Sequence, residues 1–260
     1  MKTAVICGLA GICLAAAAVP SRAQDPYADT VVSYTPGTGI SASYEDSGAA
    51  LGAPDTGATI TAPAYSTSQI VGIGNGGELT LEFDTPIAND PTDHADGLDF
   101  TIFGNDFFVN GSNGISGIYD HAGLTVWVSQ DNITYYELNA SFGADSDLPT
   151  NGSGNPALPV NPSLTLSSFV GVSAAQAATM YGDSAGGASY SIGWAEDTNG
   201  DAVDLSSISY VKIEGSGGYG YIDAISRVES VPEPATAGLW AGGAILLVCL
   251  RRARRPKAQT

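Results

Sequence analysis

Between residues 78 and 225 the chain returns repeatedly to one short pattern: apolar and polar residues in alternation, cut off by Gly, Asn, Asp or Pro. Successive side chains on an extended strand point to opposite faces, so a period of two bounded by turn residues specifies half-buried β-strands. Glu78-Leu79-Thr80-Leu81-Glu82-Phe83 is the cleanest run and is expected to bury Leu79, Leu81 and Phe83. Asp99-Phe100-Thr101-Ile102-Phe103 places Phe100 and Ile102 on one face, and Leu124-Thr125-Val126-Trp127-Val128 places Leu124, Val126 and Val128 together. A turn at Gln130-Asp131-Asn132 leads into Thr134-Tyr135-Tyr136-Glu137-Leu138 as a hairpin. Tyr210-Val211-Lys212-Ile213 and Tyr221-Ile222-Asp223-Ala224-Ile225 close the series. Only residues 173–181 read as helix, with Ser173 as N-cap. Residues 105–120 and 143–162, rich in Gly, Asn, Pro and Ser, show no regular pattern and are expected to be loops, the first ordered and the second mobile. The fold class that follows is all-β, a sandwich or barrel within residues 24–230.

Charge and sulfur narrow what such a domain can do. Between residues 24 and 230 two basic residues, Lys212 and Arg227, stand against 26 acidic ones, a formal charge of −24. A surface this negative repels phosphate backbones, which excludes nucleic acid as a partner, and it suits calcium, which takes carboxylate and carbonyl oxygens. Charge of this sign also serves solubility alone. Cys7, Cys13 and Cys249 all lie in the apolar terminal segments. The domain therefore has no disulfide framework, thiol nucleophile or thiolate metal site.

The two ends read as addresses. Lys2, an uncharged run over residues 4–19, Pro20 and Ser21-Arg22-Ala23 make a secretory signal peptide of residues 1–23, with cleavage between Ala23 and Gln24. The alternative is an N-terminal membrane anchor, for which the run is short. At the other end, a 16-residue apolar stretch at 235–250 precedes Arg251, Arg252, Arg254 and Arg255. As a helix it spans about 24 Å, close to the ~30 Å of a hydrocarbon core, and the arginines place that end in the cytoplasm. Pro232-Glu233-Pro234, a short apolar helix and a terminal arginine cluster together resemble the PEP-CTERM sorting signal of Gram-negative bacteria, here residues 231–260. The resemblance implies export through the inner membrane by way of signal peptidase, a transient membrane tether, and recognition by an exosortase near the Pro-Glu-Pro. It further implies a place at the cell surface or in an extracellular matrix associated with exopolysaccharide. An ordinary single-span anchor is the alternative reading.

Several runs between residues 50 and 228 resemble a group of uncharacterised bacterial surface domains. Among them are Val71-Gly72-Ile73-Gly74-Asn75-Gly76-Gly77, Asp99-Phe100-Thr101-Ile102-Phe103-Gly104-Asn105, Gly193-Trp194-Ala195-Glu196-Asp197 and Ile222-Asp223-Ala224. That likeness implies a single jelly-roll-like sandwich and brings no activity with it. By resemblance to β-sandwich glycan-binding modules, Asp223 stands where a structural calcium is commonly held. Asp99, Asn105 and Asp106 bracket the strand and loop where a second calcium site is expected.

Other motifs carry less. Asp197-Thr198-Asn199-Gly200-Asp201 begins like an EF-hand loop, but Ala202 and Ile208 replace the required Gly and bidentate Glu, and a polar turn is the expectation. Asp93-His94 and Asp120-His121 pair the only histidines with aspartates, which read as solvated loop residues rather than a metal or acid–base site. Gly182-Asp183-Ser184 resembles a serine-protease nucleophile motif, but Ala185 and Gly187 break it. Trp127, Tyr135, Tyr219 and Tyr221 are candidates for stacking on sugar rings or for ordinary sheet packing. The functional expectation is a non-catalytic surface or matrix protein that binds glycan or matrix partners. Its rivals are a secreted polysaccharide hydrolase and a purely structural envelope component.

Overall fold

The computed structural model describes residues 25–120, 123–139 and 148–230. The expected cleavage site at Ala23 and Gln24, the sorting residues Pro232, Glu233, Pro234, Arg251, Arg252, Arg254 and Arg255, the apolar stretch 235–250, and His121 lie outside them. Among the described residues no helix is long and apolar enough to cross a membrane.

The fold is an all-β sandwich. Its larger sheet is built from β1 (Thr30–Thr35), β3 (Glu78–Ala88), β7 (Leu124–Ser129), β8 (Tyr136–Leu138), β10 (Ala195–Glu196) and β11 (Ser207–Gly215). The smaller contains β2 (Val71–Ile73), β4 (Phe100–Gly104), β9 (Ala188–Tyr190) and β12 (Gly220–Arg227). Their strand orders are β1-β3-β11-β7-β8-β10 and β2-β12-β4-β9, antiparallel throughout. Every strand expected from the alternation exists, and the inward sets are those expected. Leu79, Leu81 and Phe83 on β3 and Val126 and Val128 on β7 meet Phe100 and Ile102 on β4 and Ile222 and Ile225 on β12 in one core. The outer face of β11 keeps Tyr210, Lys212 and Glu214.

The hairpin turn is made by Asp131, whose Oδ1 accepts from the N–H groups of Ile133 and Thr134. Strand pairing resumes only at Tyr136.

Two expectations need correction. Residues 105–120 are not an irregular loop: β5 (Phe107–Gly111) and β6 (Gly114–Tyr119) form a two-stranded ribbon. Three glycines dilute its alternation in sequence, yet Phe108 and Ile115 are buried while Phe107 pairs with Tyr119 on the other face. The described part of the second supposed loop, residues 148–162, is anchored and not loose. Leu148, Ala157 and Val160 are buried, and Asn151 and Asn155 exchange backbone hydrogen bonds with residues 183–185.

Ribbon and anchored segment share a second core, which a single-sandwich reading does not contain. Phe108 packs on Phe169 at 4.9 Å between ring centroids, and Phe169 on Tyr181 at 5.7 Å. Phe169 ends α1 (Leu166–Phe169), and Tyr181 caps α2 (Ala174–Met180), where Ser173 is the N-cap as expected and forms a capping box with Gln176. Phe103 and Ala224 on the outer face of the smaller sheet form a separate small cluster with Ala185. That face is therefore covered, on one side by residues 148–187 and on the other by residues 42–70.

Gly152 marks where the two covers meet. Its N–H donates to Ala58 O at 2.9 Å, and a Cβ there would collide with the Asp55 carbonyl and the Thr56 backbone. Gly152→Ala is expected to cost about 1–3 kcal/mol, as overpacking does, and to displace residues 55–57. A urea midpoint equal to wild type would show that the two covers are not in contact.

Candidate functional site

The outer face of the smaller sheet carries two neighbouring hollows, both organised by β12. Pairing of β12 with β4 slips between Ile222 and Ala224, so that Ile222 faces Gly104, Ala224 faces Phe103, and Asp223 is the residue left over. Such a bulge re-aims side chains. Here it keeps both Ile222 and Ile225 in the sandwich core while turning Asp223 outward, beneath residues 53–56.

The first hollow, of about 270 Å³, is lined by Tyr44, Tyr65, Asn105, Phe107, Tyr119, Tyr219 and Tyr221. They come from four stretches of chain, around residues 44, 65, 105–119 and 219–221. Tyr44 lies in a short 3-10 turn and Tyr65 in the cover that follows. Phe107 and Tyr119 are the cross-strand pair of the ribbon, stacked at 5.2 Å and 23°. Tyr219 is in the turn before β12, and Tyr221 meets the Tyr44 ring edge-on at 5.1 Å and the Tyr219 ring at 6.2 Å. The Tyr44 hydroxyl donates to Tyr65 O at 3.1 Å, tying the cover to the cluster. Tyr65, Tyr119 and Tyr219 are 70%, 48% and 40% exposed, so aromatic surface faces solvent at one place from three chain segments. Proximity to the Tyr219 hydroxyl and a hydrogen bond with it raise the pKa of Tyr119, and burial raises that of Tyr221. Asn105 is only 7% exposed, and its buried Oδ1 has no hydrogen-bond partner. A buried acceptor without a donor costs about 1–3 kcal/mol, and this one lies in the wall of the hollow, closed off from solvent.

The second hollow holds Asp223 with Asp55, Thr56, Ser68 and Gln69. Asp223 Oδ2 accepts from the Asp55 N–H at 2.8 Å, and Asp55 Oδ1 accepts from the Gly57 N–H at 3.1 Å. Burial, reinforced by the nearby Asp55 carboxylate and opposed by the Asp55 N–H, pushes the Asp223 carboxyl up to about 7. The turn at residues 65–69 separates the two hollows: Gln69 Oε1 accepts from Ser66 N–H at 2.9 Å and from Tyr65 N–H at 3.4 Å.

The residues anticipated as calcium ligands do not come together. Asp99 and Asn105 lie at opposite ends of β4, about 20 Å apart along an extended strand. Asp99, fully buried, accepts from Asp90 N–H and Ile192 N–H and is bonded to Ser191 Oγ and, at 2.7 Å, to His94 Nδ1. Its oxygens are occupied by protein donors, so it is a structural clasp. His94 is correspondingly buried and not a solvated loop residue as expected. Asp106 instead lines a cavity of about 250 Å³ between the sheets, with Thr150 and Tyr190. Among the described residues no three carboxylate or histidine side chains converge on one point.

The weaker motifs resolve as turns. Asp197 Oδ1 accepts from the N–H groups of Asn199 and Asp201, which uses the oxygen an EF-hand would point at an ion. Ser184 is fully buried and its Oγ accepts from Gly186 N–H. Of the four aromatic candidates, Tyr219 and Tyr221 line the first hollow. Trp127 and Tyr135 lie on the opposite sheet, flanking Lys212 Nζ at 5.2 Å and 4.8 Å from the ring centroids. Tyr44, Tyr65, Phe107 and Tyr119 escaped sequence reading because nothing in their spacing links them; the local surplus of tyrosine was the only signal.

The raised Asp223 value has a testable consequence. Because it exceeds the ordinary carboxylate value, the folded protein holds this proton more tightly than the unfolded chain between about pH 4 and pH 7. Stability from this group is thus complete below that window and lost as pH rises through it. Asp223→Asn, which keeps an acceptor for Asp55 N–H, is expected to match wild type near pH 4 and exceed it by on the order of 2 kcal/mol at pH 8. Urea denaturation with a chelator present measures this, and parallel pH profiles for the two proteins would contradict it. Comparison with protein-family models and with curated proteins yields no match, so the chemistry of both hollows rests on their own geometry.

Proposed function

We propose that this domain is a non-catalytic glycan-binding module of an exported cell-surface or matrix protein, and that the tyrosine-lined hollow is its binding site. The observation that carries the reading is the conjunction at that hollow of six aromatic side chains and a buried, unpartnered amide oxygen. A sugar ring offers an apolar C–H face to stack on aromatic rings and hydroxyl donors at its edge. Tyrosine serves both, with a large amphipathic surface and few rotatable bonds. A purely structural coat component has no use for either feature.

The wider setting belongs to the same proposal. The signal peptide and the PEP-CTERM-like tail support export through the inner membrane with signal peptidase and an exosortase as partners, a transient membrane anchor, and exopolysaccharide as the neighbouring polymer. Successive strands that pass between the two sheets support a jelly-roll-like connectivity. A calcium ion would be held by Asp223 and Asp55, whose hollow also offers the oxygens of Thr56 and Ser68. These fit a hard cation, and binding would offset the like-charge pressure on the pair.

Asp223 favours one second reading, a polysaccharide hydrolase. A carboxyl held near neutrality beside another carboxylate, next to a sugar-sized hollow, is the arrangement a general acid requires.

One experiment addresses both. On a glycan array, with and without a chelator, the full-length chain is expected to bind a subset of glycans without cleaving them. Tyr65→Ala and Tyr219→Ala are each expected to weaken binding about tenfold, as loss of a stacking ring does. Shortened glycans that persist with wild type and vanish with Asp223→Asn would replace the binding module by the hydrolase. Binding indifferent to both tyrosines would remove the hollow from either reading.

A further inference from the structure

We propose that the hollow selects a positively charged glycan, one whose sugar units carry free ammonium groups. The inference rests on the glycan-binding reading and specifies its ligand class.

All that lines the hollow is electron-rich or neutral. Ring faces carry the negative side of the aromatic quadrupole, and the unpartnered group is an oxygen, an acceptor that only a donor can satisfy. Asp106, which lines the neighbouring cavity, is close enough to act on the Tyr119 hydroxyl. No lining residue is basic. The domain as a whole, at −24, draws cations in and turns uronates and sulfated sugars away.

The molecule already contains the interaction in another place. Lys212 is one of only two basic residues in the domain, and its ammonium is held between the Trp127 and Tyr135 rings with Glu214 at 2.5 Å. Aromatic faces and a carboxylate suffice there to hold an ammonium in a partly desolvated position. The hollow on the opposite sheet offers more ring faces, and none of the described residues that line it is basic. A sugar, unlike a lysine side chain, can cover the stacked ring surface while its ammonium sits among the tyrosines.

The test compares three oligosaccharides of equal length against the full-length chain in mild detergent, by calorimetry: β-linked glucosamine, its fully N-acetylated form, and an oligoglucuronate. The free-amine oligomer is expected to bind about tenfold or more tighter than the acetylated one, the range a desolvated cation–π contact spans. Oligoglucuronate is expected not to bind. The preference should collapse in Tyr65→Ala/Tyr219→Ala, whose substituted side chains are exposed enough to leave folding intact, with circular dichroism as the check.

Equal or tighter binding of the acetylated oligomer, lost in the double variant, would overturn the charge selection and leave the glycan-binding reading standing. A free-amine preference that survives the double variant would assign it to the acidic surface at large and overturn the proposal. Failure of all three to bind would count against both readings.

Discussion

The structure depends on one strand being buried twice. β12 gives Ile222 and Ile225 to the core between the sheets and Ala224 to the contact with Phe103 and Ala185 on the far side. Strict alternation cannot do this, because residues 222 and 225 would then face opposite ways. The extra residue at Asp223 resets the phase, and the cost is a carboxylate turned into a covered surface with one backbone N–H for a partner. Both hollows follow from that slip. Tyr221, ahead of the bulge, is left at the rim among the other tyrosines, and Asp223 is left beneath residues 53–56.

The two buried aspartates show what decides a carboxylate's role. Asp99 has four protein groups turned toward it and holds the 90–94 turn, β4 and the 191–192 turn together. Asp223 has one donor and a second carboxylate for a neighbour, so burial leaves it near neutrality in its proton affinity. The same residue type, equally hidden, is a clasp in one place and a carboxyl of raised proton affinity in the other. The difference is the number of donors, which no local sequence rule supplies.

Electrostatics organise the domain at longer range. Of the two cations among so many carboxylates, Lys212 lies enclosed between Trp127 and Tyr135, against Glu214. None of the described residues lining the tyrosine hollow is basic, so ring faces and hydroxyl groups dominate it. A domain without sulfur cross-links is then stabilised by two separate cores, one inside the sandwich and one between ribbon and helices.

The alternation in residues 78–83, 99–103 and 124–128 was enough to establish strands, their inward faces and an all-β class, because side-chain direction on a strand is a local property with a period of two. The Ser173 cap and the turn at Asp131 were legible for the same reason: their hydrogen bonds reach only two or three residues along the chain. The ribbon was hidden because glycine contributes no side chain to either face, and its register appears only when Phe108 meets Phe169 more than sixty residues away. The tyrosine hollow could not be read at all from the order of residues. Its walls come from positions 44, 65, 105, 107, 119, 219 and 221, and what joins them is the bulge in β12 and the closure of two covers over one sheet. Composition and periodicity by themselves determined an acidic, cysteine-free β-domain. Which of its aromatic and acidic side chains share a hollow was decided by tertiary packing, since convergence in space depends on contacts that sequence distance does not encode.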